Sequence, residues 1–469
     1  MRQSYCILVL VLFSFLISTC TGCAGVSGAR KGNGKVESPG EVRIAVFDID
    51  ATPPVGTLMT YDTLVNKWDL GLRAKGVVIT GAGEPVVLCA IDWIGIANES
   101  QDVFKAALAE AAGTTPGRVA VHTLHQHDAP ICDFSAEKLL RDAGMDPYSF
   151  RGDFARSFLK DLQQAVTLSL QKSSPVSHIG IGEAAVREVA SNRRINVENG
   201  KVGVMRGSSC KDPMLRAKPE GVIDSMVTLL SFWKDGKPLA VMSFYAVHPQ
   251  SYYLTKVANP DFVGLARFYR QLEVPDALHI HFNGAGGNIA AGKYNDGSHE
   301  NREILARRLA AGMKKAWETT EMFPVSAGDF AWESFPVSLP PALNLKEGIE
   351  AGIRTGNARH LSNNVPKLVW MNRQQQGKTI DLGCLTIGKS RILFRPGELF
   401  VEYQLAAKAM RPDLKVTMAA YGDYGPFYIG TREAYPMGGY EIQVSPVTAE
   451  VEGVLIPAIQ TLLKVDKTK

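Results

Sequence analysis

A chain of 469 residues can bury a large core. Its 45% hydrophobic and 21% charged content excludes an intrinsically disordered protein and matches a folded globular one. A net charge of +4, dispersed along the sequence, excludes a dedicated nucleic-acid groove.

At the N-terminus, Arg2 precedes an apolar run from Ile7 to Ile17 that is too short to span a bilayer comfortably and has the length of an export-signal core. Thr21-Gly22-Cys23 then reads as the small-residue cleavage site of bacterial lipoproteins, in which Cys23 is lipidated and becomes the first residue. Cys20 stands where such sites carry an aliphatic residue, and a competing site ends at Cys20 itself. Ala24 to Gly40, rich in Gly, Ser and Lys, reads as a flexible tether. The expected organisation is a signal over residues 1–23, a tether over 24–40 and one folded domain over 41–469, exported and anchored in the bacterial cell envelope. Cys89, Cys132, Cys210 and Cys384 are widely spaced with no CxxC, which argues against a zinc ribbon and a disulfide framework.

Along the folded part, Val42 to Phe47 alternates as a strand and runs into Pro53-Pro54, which end regular structure. Gly76 to Thr80 and Pro85 to Ile91 form a hairpin about Gly81-Ala82-Gly83-Glu84, closing at Asp92. Gln101 to Ala112 is helical up to Gly113, and Arg118 to Val121 is the next strand, a strand-helix-strand unit whose carboxyl ends are where ligands gather. Phe154, Phe158, Leu162 and Val166 mark one face of a helix over Phe150 to Leu170. Strands follow at His178 to Ile181 and Ala185 to Val189. A second hairpin joins Met226 to Phe232 with Leu239 to Val247 through Lys234-Asp235-Gly236-Lys237. Leu278 to Phe282 is a strand before the glycine-rich loop Asn283 to Asn288, and a helix follows from His299 to Trp317. Between Asp329 and Lys378 the pattern supports only strands with a helical insert at Leu345 to Arg354. Gly383 to Ser390 spells a phosphate loop, GxxxxGK[ST], but Arg391 to Arg395 is strand-like where that motif needs a helix, so Gly388-Lys389-Ser390 is read as a hairpin turn. Val447 to Leu463 is a closing apolar helix interrupted at Pro457. The alternation of elements predicts an α/β fold, a mixed β-sheet core with flanking helices.

Chemistry concentrates at Val119 to Pro130, VAVHTLHQHDAP, where His122, His125 and His127 follow an apolar strand. Neutral imidazole is a common metal ligand, and two histidines one residue apart at a strand end can face one ion. A further histidine, His248, closes the second hairpin before Pro249. Tyr421, Tyr424, Tyr428, Tyr435 and Tyr440 crowd a turn-rich stretch near the C-terminus, and each phenol needs a polar partner if buried.

In this order the pieces resemble the catalytic domain of the neutral ceramidases and their bacterial relatives. The family's HTHSxPG turn is similar to His125-Gln126-His127-Asp128-Ala129-Pro130, and its VHP strand end to Val247-His248-Pro249. Its asparagine-arginine pair is matched by Asn192-Arg193, and its PxE turn by Pro396-Gly397-Glu398. Its YxTxxEEY and RYE segments resemble Tyr428 to Tyr435 and Gly439-Tyr440-Glu441. The resemblance implies zinc held by His125, His248, Glu398 and Tyr428. It also implies His127 beside the attacking water, Arg193 on the substrate and Tyr440 on the developing oxyanion. The family's GDxSPN loop is here Gly286-Gly287-Asn288-Ile289-Ala290-Ala291, so any mechanism that uses its serine as nucleophile is excluded. The family's C-terminal immunoglobulin-like domain has no counterpart in these residues.

The expected function is therefore zinc-dependent hydrolysis of an N-acyl amide, small or lipid-like, with an ester as the nearest variant. A metallo-β-lactamase-like site would need HxHxDH, where Ala129 and Pro130 stand in place of the last Asp and His. The exchanges at Gly287 and Ile289 motivate a third reading, a tethered binding protein without turnover. The N-terminal reading is tested by metabolic labelling with palmitate. Label should enter the wild type and be lost in Cys23→Ser, and globomycin should block maturation.

Overall fold

The computed structural model describes residues 40–465 except 67–69, 196 and 356–357. The expected export signal, Cys23 and nearly all of the tether lie outside the described residues.

Arg43–Asp50 (β1) pairs antiparallel with Arg73–Thr80 (β2), which pairs antiparallel with Val86–Ile91 (β3). Gly81 and Gly83, at φ 82° and 84°, make the turn of the expected hairpin. Glu99–Ala112 (α1) ends on Gly113 in the left-handed region, φ 65°, and crosses over to Val119–Thr123 (β4), parallel to β3. Asp153–Leu170 (α2) packs with α1 on this sheet, where the Trp93 ring lies 4.9 Å from that of Phe158.

The same unit, a hairpin and then a helix leading to a parallel strand, recurs twice. His178–Ala185 (β5) pairs with Met226–Lys234 (β6), which turns through Asp235-Gly236 into Lys237–Tyr245 (β7). Asp261–Glu273 (α3) then leads to Leu278–Asn283 (β8), parallel to β7. Glu300–Glu318 (α4) packs on this sheet, and Glu321–Pro324 (β9) closes its far edge. In the third unit Phe330–Val337 (β10) is followed by Ala358–Gln375 (α5) and then by the hairpin of Ile380–Ile387 (β11) with Ser390–Phe394 (β12). Val401–Met410 (α6) returns to Lys415–Ala419 (β13), parallel to β12, and Glu452–Leu463 (α7) is the last helix. One apolar core is shared by the three sheets, with Leu88, Leu229, Phe282, Ile392 and Phe394 all buried in it. The α/β class with mixed sheets and flanking helices is as expected. Among the described residues no helix is long and apolar enough to cross a membrane.

The three parallel strands added by the crossovers, β4, β8 and β13, meet at their carboxyl ends. Thr123 N donates to Tyr421 O at 2.9 Å and Ala420 N donates to Asn283 O at 2.9 Å. Asn283 Nδ2 donates to Leu124 O at 2.7 Å, which completes a ring of hydrogen bonds joining all three ends.

Several local readings change. The strand expected at Ala185 to Val189 is absent beyond Ala185, because Glu188 sits at φ 57° and the chain leaves the sheet. Within 329–378 the insert Lys346–Arg354 is present, but α5 went unread because Pro366 interrupts its pattern. The phosphate-loop match is a hairpin turn with Gly388 at φ 52° between β11 and β12. The C-terminal helix begins at Glu452 after a short turn of 3-10 helix and tolerates Pro457. Asp92, which ends a strand, serves no ligand: Arg267 of α3 grips it through both nitrogens, at 2.8 and 2.6 Å. Both partners are buried, so Arg267→Met should strand a carboxylate in the core. Urea denaturation is expected to show a loss of about 3–5 kcal/mol.

Candidate functional site

The three crossover units deliver the site from loops that leave β4, β7, β12 and β13. His125 follows β4 with φ 64°, a left-handed conformation that few side chains adopt and that marks a constrained position. Its Nδ1 lies 2.8 Å from Ile94 O, so that nitrogen carries a proton and Nε2 is left to face the site. Tyr421, at φ 62° after β13, stacks on the His125 ring with centroids 4.9 Å apart. His248 follows β7, with its backbone N–H on Ile289 O at 2.9 Å. Glu398 follows β12 on a two-residue strand paired with Tyr428-Ile429.

These side chains converge. His125 Nε2 lies 3.3 Å and His248 Nδ1 3.7 Å from Glu398 Oε2. Glu398 Oε2 and His248 Nδ1 are both buried without a hydrogen-bond partner among the described residues. The other carboxylate oxygen, Oε1, accepts from Tyr424 Oη at 2.9 Å. His127 Nε2 is 3.4 Å from His248 Nε2, so His248 lies between Glu398 and His127. His125, His127 and His248 can each offer one nitrogen, all within 4.8 Å of one another. A cluster of imidazoles and one carboxylate with unsatisfied atoms turned inward is the donor chemistry of a transition-metal site.

Electrostatics keep three of these donors, His127, His248 and Glu398, in the form a metal needs. Burial lowers the His127 and His248 imidazoles well below their usual range, and the His125 ring beside each adds to it, so both are neutral at neutral pH. Burial pushes the Glu398 carboxyl up. His125, Arg193 and the Tyr424 hydroxyl more than offset this, and it stays an anion. Burial also lifts the Tyr428 phenol well above its usual range, against the pull of Arg193.

Arg193 is buried, not a surface arginine. Its guanidinium lies 5.3 Å from the centroid of the Tyr428 ring, donates from Nη2 to Gly287 O, and has Nε 3.0 Å from Glu441 Oε1. Glu441 also holds Arg194, at 3.2 Å, so one fully buried carboxylate serves two arginines. Tyr440 stands at the mouth, half exposed, with its ring 5.8 Å from that of Tyr428. Tyr61 and Tyr253 complete the opening beside His127, their rings 5.8 and 5.5 Å from it. The cavity between them is about 150 Å³.

The structure thus brings together His125, His127, His248, Glu398, Tyr428, Arg193 and Tyr440. His122 is not among them. Its Nδ1 bonds Ala420 O at 2.7 Å and its ring packs on Phe394, behind the site. Tyr61, Tyr253 and Lys367 were not singled out in the sequence, since each lies in a stretch with no recognisable spacing. Tyr424 and Glu441 sit in the tyrosine-rich segment, but nothing in the sequence pairs them with Glu398 and Arg193.

The glycine-rich loop is the platform beneath these groups. Gly287 N donates to Leu399 O and Asn288 O accepts from Arg193 N, both at 2.9 Å. A Cβ on Gly287 would stand 2.2 Å from Glu398 O, so no side chain fits there. Ile289 is fully buried and pairs with Asn192, so it belongs to the frame.

Among solved structures, the chain superposes on a neutral ceramidase from Pseudomonas aeruginosa with a TM-score of 0.63 and 15% identity, over 91% of this chain and 74% of that one. A ceramidase complexed with C2 gives a TM-score of 0.63 and 16% identity, over 91% and 75% of the two chains. The fold is ceramidase-like. No family model and no curated protein matches the sequence.

Glu441 has the most to lose from a single change. Glu441→Ala would leave Arg193 and Arg194 buried without a counter-charge, and chemical denaturation should register a loss of about 3–5 kcal/mol.

Proposed function

We propose that this protein is a zinc-dependent hydrolase of N-acyl amides, ceramidase-like in its chemistry. The observation that carries the reading is the convergence of His125 Nε2 and the unpartnered His248 Nδ1 on the unpartnered Glu398 Oε2, at 3.3 and 3.7 Å. Ligands held at about 2.0–2.2 Å from a tetrahedral zinc lie roughly 3.3–3.6 Å from one another, so these spacings fit the ion. His125, His248 and Glu398 would hold it, with Tyr428 as the fourth ligand. When bound, zinc supplies Lewis acidity and brings the pKa of a coordinated water from about 15.7 to roughly 7.

The chain's own groups then have separate tasks. His127, kept neutral by burial, accepts a proton and returns it to the leaving amine. Arg193, fixed by Glu441 and the Gly287 carbonyl, orients Tyr428 from one side and offers its charge to the substrate oxygen. Tyr440 at the mouth donates to the oxygen that gains negative charge. Tyr424 holds Glu398 through Oε1 and so turns Oε2 toward the histidines. An ester with the same acyl group meets the same groups and is the nearest alternative substrate. Export and a lipid anchor at Cys23, proposed from the Arg2 signal and the apolar run behind it, would place this pocket beside membrane-borne substrates.

A second reading has specific support, because the three histidines alone offer donors within 4.8 Å. Elemental analysis of purified variants separates the two. With Glu398 as ligand and His127 as base, the wild type should carry about one zinc per chain. His127→Ala should keep the zinc and lose turnover by about 10²–10⁴-fold, whereas Glu398→Gln should lose both. If His127→Ala loses the metal and Glu398→Gln keeps it, the three-histidine arrangement is correct. A metal-free preparation with full activity would overturn both, and intact zinc with no turnover of amides or esters would favour a binding protein.

A further inference from the structure

Lys367 is the cation of the pocket that no carboxylate neutralises. It sits on α5, next to Pro366, and reaches the cavity that His125, His248 and Glu398 also line. Its place is fixed: Asn98 Nδ2 donates to Pro366 O at 3.1 Å and to Asp133 Oδ2 at 2.7 Å. Only 4% of Lys367 is exposed, and its ammonium lies over the Phe427 ring, 4.9 Å from the centroid.

Buried lysines are rare unless paired; several buried cations of this protein have a carboxylate, while Arg206 and Arg395 bond backbone carbonyls instead. Arg193 has Glu441, Arg267 has Asp92, and Lys75 has Asp48 at 2.7 Å. Among the described residues, Lys367 forms no ion pair and feels only the charge of Glu398. Burial brings its pKa down to about 8, with the Glu398 charge acting against that fall. A divalent ion held by His125, His248 and Glu398 would take up the Glu398 charge, so an anionic group beside Lys367 would have to supply the counter-charge that keeps its ammonium protonated. The lining near it is also unsuited to a purely apolar guest, since Tyr424, Tyr428, Gln250 and Arg193 present polar groups and only Phe427 and Val444 are wholly apolar.

We infer that Lys367 recognises an anionic oxygen group on the substrate, so that the preferred amide is an N-acyl compound carrying a carboxylate on its amine side, as an N-acyl amino acid does, and not a neutral N-acylated alcohol. An ammonium is a compact, strongly hydrated point charge, and a carboxylate restores in the pocket the solvation that burial removed. The inference rests on the amide-hydrolase reading for the bond that is broken, but the recognition of the acid can be measured without turnover.

The test uses the zinc-loaded full chain with N-lauroylglycine and its uncharged isostere N-lauroylglycinamide. The wild type should favour the acid by at least about tenfold in kcat/KM, as expected for a hydrogen bond to a charged group. Lys367→Met should abolish that preference, mainly through KM, while retaining hydrolysis of the glycinamide, and Lys367→Arg should restore part of it. A wild type without preference overturns the inference even if the Met variant fails to fold. So does a preference that survives in Lys367→Met, or an equal fall in kcat for both amides. If neither amide is cleaved, the hydrolase reading fails separately. Calorimetric binding of the acid over the glycinamide, lost in Lys367→Met, would then still support the assignment, and equal binding would overturn it.

Discussion

The ring of hydrogen bonds among Thr123, Leu124, Asn283, Ala420 and Tyr421 is the constraint on which the rest of the structure depends. Each of the three sheets ends one parallel strand there, and each contributes both a donor and an acceptor. Backbone groups at the end of a strand have lost their ladder partners and must be satisfied elsewhere when buried. Here they satisfy one another, and the three crossover units are thereby held in fixed register. The candidate donors stand on the segments that leave this junction or are hydrogen-bonded to it. His125 leaves β4, the glycine-rich loop that braces His248 and Glu398 leaves β8, and Tyr428 follows β13. The position of an imidazole nitrogen relative to a carboxylate oxygen is thus set by backbone hydrogen bonds between sheets more than by side-chain rotamers alone.

Much of this was legible in the chain. The hairpins about Gly83 and Gly236, α1 with its glycine stop, and the strand that carries His125 follow from local rules of turn chemistry and periodicity. The histidines stood out because imidazole is uncommon at the end of an apolar strand. What could not be read was pairing across sequence. Glu441 with Arg193, Tyr424 with Glu398 and Arg267 with Asp92 join residues from different units, and no spacing rule connects them. Asp92 and His122 carry the complementary lesson. Both occupy positions where ligands gather, and both are consumed by the frame, one as the partner of an arginine and one on a backbone carbonyl. Helix α5 was hidden by Pro366, and with it the lysine that faces the pocket.

The site is also where the fold stores strain. His125 and Tyr421 both take left-handed backbone conformations and stack on each other, a cost of about 1–3 kcal/mol each that the surrounding hydrogen bonds must hold in place. Stacking keeps the imidazole plane from rotating, and the Nδ1 contact with Ile94 O sets its tautomer. The result is a ring nitrogen, Nε2, held 3.3 Å from Glu398 before any ligand arrives, which is preorganisation achieved by the backbone.

Gly287 bears on how such a loop can change over time. At this position the backbone of Glu398 occupies the space that any side chain would need. Exchange of glycine for aspartate is a small step in sequence and a large one in space, because it must displace the peptide that carries the carboxylate of the site. Any side chain at 287 therefore requires the Glu398 peptide, and with it a carboxylate of the site, to move, so this glycine ties the loop to the position of that carboxylate.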